Sequence, residues 1–166
     1  MSSAFVKEGD QEEVPIIPPR AALPPGVTNY VTPHGMAQLL EEQKQLEEEK
    51  SSLSLESEKE QRLALMVLNG RLLLLQERIN SAVVLNPEDA TRDEVRFGAK
   101  VTLRATDTNQ VQQFQIVGVD EADVKNQKIA FIAPIARAVT GKKAGDVAHL
   151  NLGSKIRKLE ILEVSW

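Results

Sequence analysis

The chain has 166 residues, of which 42% are hydrophobic, 27% charged and 4% aromatic, with a net charge of −4. That is room for one ordinary domain, or for a small domain with an extended appendage, in a composition typical of soluble chains. There is no cysteine, so disulfides, thiolate nucleophiles and cysteine-ligated metal sites are excluded, and His34 and His149 are too few for a histidine cluster. Six rings in all argue against aromatic cages and base-stacking platforms. No segment concentrates positive charge as phosphate-dominated binding requires, so nucleic acid is expected only indirectly, through a partner. The longest apolar run, Leu72 to Leu75, is far too short to span a membrane, and the start of the chain, from Lys7 to Glu13, has no signal-peptide core. The expected location is the cytoplasm.

Residues 1–32 hold Pro15, Pro18, Pro19, Pro24 and Pro25. Proline fixes φ and restricts the residue before it, so an extended tail without interior helix is expected. Such tails are usually flexible, but Ile16, Ile17 and Leu23 also allow this one to lie along another part of the molecule.

Residues 33–85 begin with Thr32-Pro33, an N-cap followed by proline at the first helical position. Met36, Leu39, Leu46 and Leu53 recur at heptad spacing, with Gln43 and Lys50 interrupting the stripe. Leu65, Leu68, Leu72, Leu75, Ile79 and Ala82 then alternate by three and four. Two such stripes predict an antiparallel coiled coil in which Met36 faces Ala82 and Leu53 faces Leu65. The turn is then expected near Lys59, and helices of about 24 residues would reach roughly 36 Å at 1.5 Å per residue. Met66, Leu73 and Leu74 fall outside the seam and need a second neighbour, either within the molecule, under the tail, or in another copy. Gly70 interrupts the second helix at a position where alanine would be better by up to ~1 kcal/mol.

After Asn86-Pro87, a helix stop, the period becomes two. Lys100–Arg104, Gln113–Val117, Lys128–Ile132, Asp146–Leu150 and Lys158–Val164 read as strands. Pro134 to Thr140 reads as a short helix, with Pro134 in its first turn and Gly141 as its cap. The fold class expected for the whole is α+β: a helical hairpin, then residues 86–166 as a mostly antiparallel sheet covered by one helix.

This last segment resembles the C-terminal domain of the bacterial Gre (GreA/GreB-type) transcript-cleavage factors. The resemblance rests on Phe97-Gly98-Ala99-Lys100-Val101, Ile116-Val117-Gly118 with Asp120-Glu121-Ala122-Asp123, Ile129, Pro134-Ile135-Ala136-Arg137, Gly141-Lys142-Lys143 and Gly145-Asp146-Val147. Val31-Thr32-Pro33-His34-Gly35-Met36 is also similar to the start of the family's first helix. The resemblance implies an antiparallel coiled coil followed by an FKBP-like domain. It implies further that the domain docks on RNA polymerase beside its secondary channel and that the coiled coil enters the channel. Acidic residues at the tip would then help hold the polymerase's catalytic magnesium, for which carboxylates are suitable ligands. No cofactor of the chain's own is implied, and the chain is expected not to be an enzyme.

Two departures qualify that picture. The family's tip pattern, Gly-Asp and then Glu-Asn-Ala-Asp/Glu-Tyr, is absent, and the turn region reads Ser51-Ser52-Leu53-Ser54-Leu55-Glu56-Ser57-Glu58-Lys59-Glu60. Glu56, Glu58 and Glu60 are the only candidate tip acids, and such residues at a helical turn commonly form just a solvated end. At the docking loop the family's polar residue and Ser-Pro become Ile132-Ala133-Pro134. Ile132, Ala133, Pro134, Ile135 and Arg137 are the candidate partner contacts, with capping and core packing as the competing role. Asp120, Glu121 and Asp123 suggest a metal, but acids in a turn are more often solvent-exposed. The expected function is a Gre-like elongation regulator with little or no cleavage stimulation. The alternatives are a genuine cleavage factor, a scaffold self-associating through Met66, Leu73 and Leu74, and a prolyl isomerase, the last weakened by the dearth of rings.

Overall fold

A computed structural model describes residues 14–87 and 93–166. The acidic start of the tail, Lys7 to Glu13, and residues 88–92 lie outside these. Among the described residues no helix is long and apolar enough to cross a membrane. The chain divides into two compact units. Among the described residues, one takes residues 14–20 together with Leu39–Asn80, and the other takes Ala21–Gln38 with residues 81–87 and 93–166.

The first unit is a helical hairpin. Helix α1 runs Pro33–Ser51, its residues from Leu39 onward in this unit, and α2 runs Glu58–Ser81. Leu39, Leu46, Leu68 and Leu75 are its fully buried side chains, all on the two stripes seen in the sequence. The interruption at Gln43 is answered by Gln76, whose Oε1 accepts from Gln43 Nε2 at 2.8 Å. That pair sits one step from the expected register, so the antiparallel pairing holds.

The turn, however, comes earlier than Lys59. The connection is residues 52–57, and Lys59 lies in the first turn of α2. Serine-rich sequence is a poor continuation for α1, because its hydroxyls compete for backbone groups. Ser57 instead starts α2: its Oγ accepts from Glu60 N at 3.4 Å, in the Ser-x-x-Glu spacing of a capping box. In the register of the Gln43–Gln76 pair, Ser51 stands level with Leu68. The first ten residues of α2, about 15 Å, therefore extend beyond the end of α1. Six extended residues reach roughly 20 Å, enough for the connection to run along that overhang. Leu53, expected in α1, belongs to it.

The second unit holds a five-stranded sheet: β3 Lys100–Ala105, β4 Val111–Val117, β5 Lys128–Ala130, β6 Val147–Leu152 and β7 Lys155–Ser165. Its order is β5-β4-β3-β7-β6, antiparallel throughout except for the β4–β5 pair. Alternation sends Val101, Leu103 and Ala105 of β3, Phe114 and Ile116 of β4, and Leu159 and Ile161 of β7 into one core. Helix α3, Pro134–Val139, closes that face with Ala136 and Val139. Pro134 is in its first turn, and Gly141, at φ +88°, follows its C-cap Thr140 and donates its N–H to Val95 O at 2.8 Å.

A second, two-stranded sheet went unpredicted. β1, Asn29–Val31, pairs in parallel with β2, Ala82–Val84. A parallel pair needs a long crossover, and here the helical hairpin supplies it. Ala82, expected in the seam opposite Met36, thus belongs to a strand. Gly118 lets β1 come close, since a Cβ there would stand 2.5 Å from Tyr30 O.

Candidate functional site

In the second unit, β1, the residues just after β2 and those around β4, β5 and α3 line a groove of about 630 Å³. Tyr30 comes from β1, Phe97 from the turn before β3, and Phe131 from the residue after β5. Their ring centroids lie 5.6–6.0 Å apart, and Phe131 meets both others edge to face. The fold therefore gathers three of only six rings at one place, which ring-counting in the sequence had argued against. Nothing in the spacing of residues 30, 97 and 131 announces this; it is a tertiary fact.

Two guanidinium groups border these rings. Arg96 is paired with Glu94 at 2.8 Å. The guanidinium of Arg137, exposed on α3, makes no hydrogen bond or ion pair among the described residues. Of the five residues expected to contact a partner, Ile132 and Arg137 line this groove and Pro134 is exposed beside it. Ala133 and Ile135 are half-buried and pack on the core. The competing structural role thus holds for Ala133 and Ile135, and for Pro134 in the first turn of α3.

At the far end of the hairpin, Glu56, Glu58 and Glu60 are all exposed. Glu58 and Glu60 occupy the first turn of α2, where negative charge favours a helix N-terminus. No three His, Asp or Glu side chains among the described residues are placed to hold a metal ion.

The acids after Gly118 behave differently from one another. Asp123 is exposed and caps a short 3-10 turn, Val124–Asn126, accepting from Lys125 N at 3.2 Å and Asn126 Nδ2 at 2.6 Å. Glu121, expected in solvent, is buried. Its Oε1 accepts from the Thr32 hydroxyl at 2.5 Å and its Oε2 from Lys128 Nζ at 3.2 Å. Thr32 Oγ1 in turn accepts from Gly35 N at 2.9 Å, the N-cap expected from sequence. A carboxylate at a helix start, held by a hydroxyl and an ammonium, is a satisfied charge and a structural clamp on the root of α1.

Residues 89–166 match the family described as "Transcription elongation factor, GreA/GreB, C-term". Over 99 residues, 60% of this chain, it is 41% identical to the transcription elongation factor GreA of Maricaulis maris and 36% identical to that of Thermodesulfovibrio yellowstonii. Each alignment takes in 63% of the relative, so the chain spans less than two thirds of the length of these proteins. A solved structure of GreA factor homolog 1 (Gfh1) from Thermus thermophilus is similar at 20% identity, with a TM-score of 0.40, over 84% of this chain and 100% of that one. Residues 89–166, which hold the five-stranded sheet, thus match a GreA/GreB C-terminal domain.

Proposed function

We propose that the chain is a Gre-like transcription elongation regulator that binds bacterial RNA polymerase at its secondary channel. In this reading it does little or nothing to stimulate transcript cleavage, and any effect on catalysis runs through the polymerase's own magnesium. The match of residues 89–166 supports the family's mode of action. The departure at the tip carries the finer claim: of the acids present, Glu58 and Glu60 serve the start of α2, Glu56 lies in the connection before it, and none follows the family's pattern. Ile132, Pro134 and Arg137 are the docking residues in this reading. Together they offer an apolar surface beside a cation without an ion-pair partner, suited to a polymerase element with apolar and acidic side chains.

The deciding experiment is RNA 3′-end cleavage in purified, backtracked elongation complexes with the chain in excess. The reading expects the intrinsic rate to be unchanged or lowered, and expects competition with a genuine Gre factor for the channel. Accelerated cleavage that is lost in a Glu56→Ala, Glu58→Ala, Glu60→Ala variant would make the chain a cleavage factor instead. The three clustered rings give one reason to run a prolyl-isomerisation assay on a proline-containing peptide in parallel.

A further inference from the structure

The unexplained glycine and the unexplained tail meet. Gly70 sits mid-helix in α2, and a Cβ built on it would fall inside the Ile17 side chain, with Cγ1 only 2.8 Å away. Three residues further on, Arg20 reaches Glu42 of α1 with two contacts, at 2.5 and 3.2 Å. Ile17-Pro18-Pro19-Arg20 therefore touches both helices of the hairpin, one through shape and the other through charge. Met66, Gly70 and Leu73 follow one another by four and three, on a single face of α2. Ile17 seats on the middle of the stripe for which the sequence demanded a second neighbour.

This is the geometry of a bound ligand more than of a core. Ile17 remains 36% exposed, and the flanking Ile16 and Val14 are 89% and 72% exposed. The prolines hold the segment extended before it seats, so little order is lost on binding. A contact this small, with its ion pair at the surface, is weak by itself. It is maintained by the high effective concentration that a covalent tether provides.

We propose that the Gly70 notch and Glu42 form a recognition site for an extended segment of pattern apolar-Pro-Pro-Arg. Residues 17–20 fill it in cis as a releasable latch, and a partner segment of the same chemistry takes their place in trans. Glycine at position 70 is the selectivity element, because any side chain there closes the notch. Glu42 fixes direction and register by pairing with the arginine. Release opens the notch at Gly70 between Met66 and Leu73, so occupancy of the site controls whether that notch is available. This inference does not depend on polymerase binding.

The test uses a fluorescent peptide of residues 14–22 and measures its anisotropy with full-length chains. A chain carrying Ile17→Ser and Arg20→Ala, whose own latch is weakened, should bind the peptide at least ten-fold tighter than the natural chain. Adding Gly70→Ala to that variant, which favours the helix, should abolish binding while circular dichroism shows helix content retained. Equal affinity for both chains, or binding that survives Gly70→Ala, overturns the proposal. Where the unlatched chain loses helix and binds nothing, trypsin cleavage after Arg20 decides. It should run at least ten-fold faster in a chain with Gly70→Ala alone than in the natural chain, and an unchanged rate overturns the latch.

Discussion

The hairpin and the sheet-bearing unit are built on different margins. The sheet-bearing unit places twelve buried residues from four strands, a helix and the preceding loops in one core, and β3, β4 and β7 each hide one face by simple alternation. The hairpin buries Leu39, Leu46, Leu68 and Leu75 along one seam, breaks that seam with a Gln–Gln hydrogen bond, and leaves Met66 and Leu73 in solvent. Two helices with a narrow seam are marginal alone, since most helical stability comes from packing. The hairpin therefore leans on one further device, the Ile17–Arg20 segment along its side, while the Thr32–Glu121 clamp belongs to the second unit. The sheet needs no such support, and the two units should lose structure under different stresses.

The largest effect is expected in the sheet. Phe114 is 1% exposed at the centre of the core, so Phe114→Ala should cost ~3–5 kcal/mol and bring down the whole second unit. Leu75→Ala should cost somewhat less, ~2–4 kcal/mol, and its damage should stay in the hairpin. Amide hydrogen exchange separates the two: Leu75→Ala should speed exchange in α1 and α2 while β3, β4 and β7 keep their protection. Exchange rising equally in both units would mean that they fold as one, and the contrast would fall.

A subtler comparison concerns the clamp at the root. Glu121→Ala leaves a buried hydroxyl and a partly buried ammonium without their acceptor, a loss of ~1–3 kcal/mol. Lys128 can still reach water, which favours the lower half of that range. A double-mutant cycle with Thr32→Val should show that most of the Glu121 effect is shared with Thr32. If the two losses simply add, the clamp is not a unit and Glu121 acts through Lys128 alone. The amide of Gly35 reports the same event locally, because its acceptor is the Thr32 hydroxyl.

How much of this was legible beforehand follows the range of the interactions. Every strand of the large sheet and helix α3 could be read from period two, Pro134 and Gly141, since those signals are local and physically forced. The helical stripes and their pairing were legible for the same reason. The β1–β2 pair was not: three-residue strands carry almost no periodic signal, and their partners stand some fifty positions apart. Glu121 looked solvated because its neighbours Asp120 and Asp123 are turn residues, while its burial depends on Thr32, 89 positions away. The aromatic groove was hidden in the same way, its three rings coming from three separate elements. Gly70 was the opposite case, a visible anomaly whose cause, Ile17, lay in a segment expected to be loose.

One feature was written in the sequence and misread, and it supplies the smallest test. Ser57-Glu58-Lys59-Glu60 is a helix start, yet the heptad stripes alone drew the turn into it. Ser57→Ala should remove a long, exposed cap bond and destabilise α2 by only ~0.5 kcal/mol, the low end for a lost N-cap. In a molecule that melts as a single unit so small a change lowers one common midpoint by ~1–2 °C. If the hairpin melts separately and lower, the same change acts on a much smaller total, and helix loss at 222 nm should move down by ~2–4 °C while the sheet's transition stays in place. The size of the response to a weak perturbation thus measures how independent, and how marginal, the hairpin is.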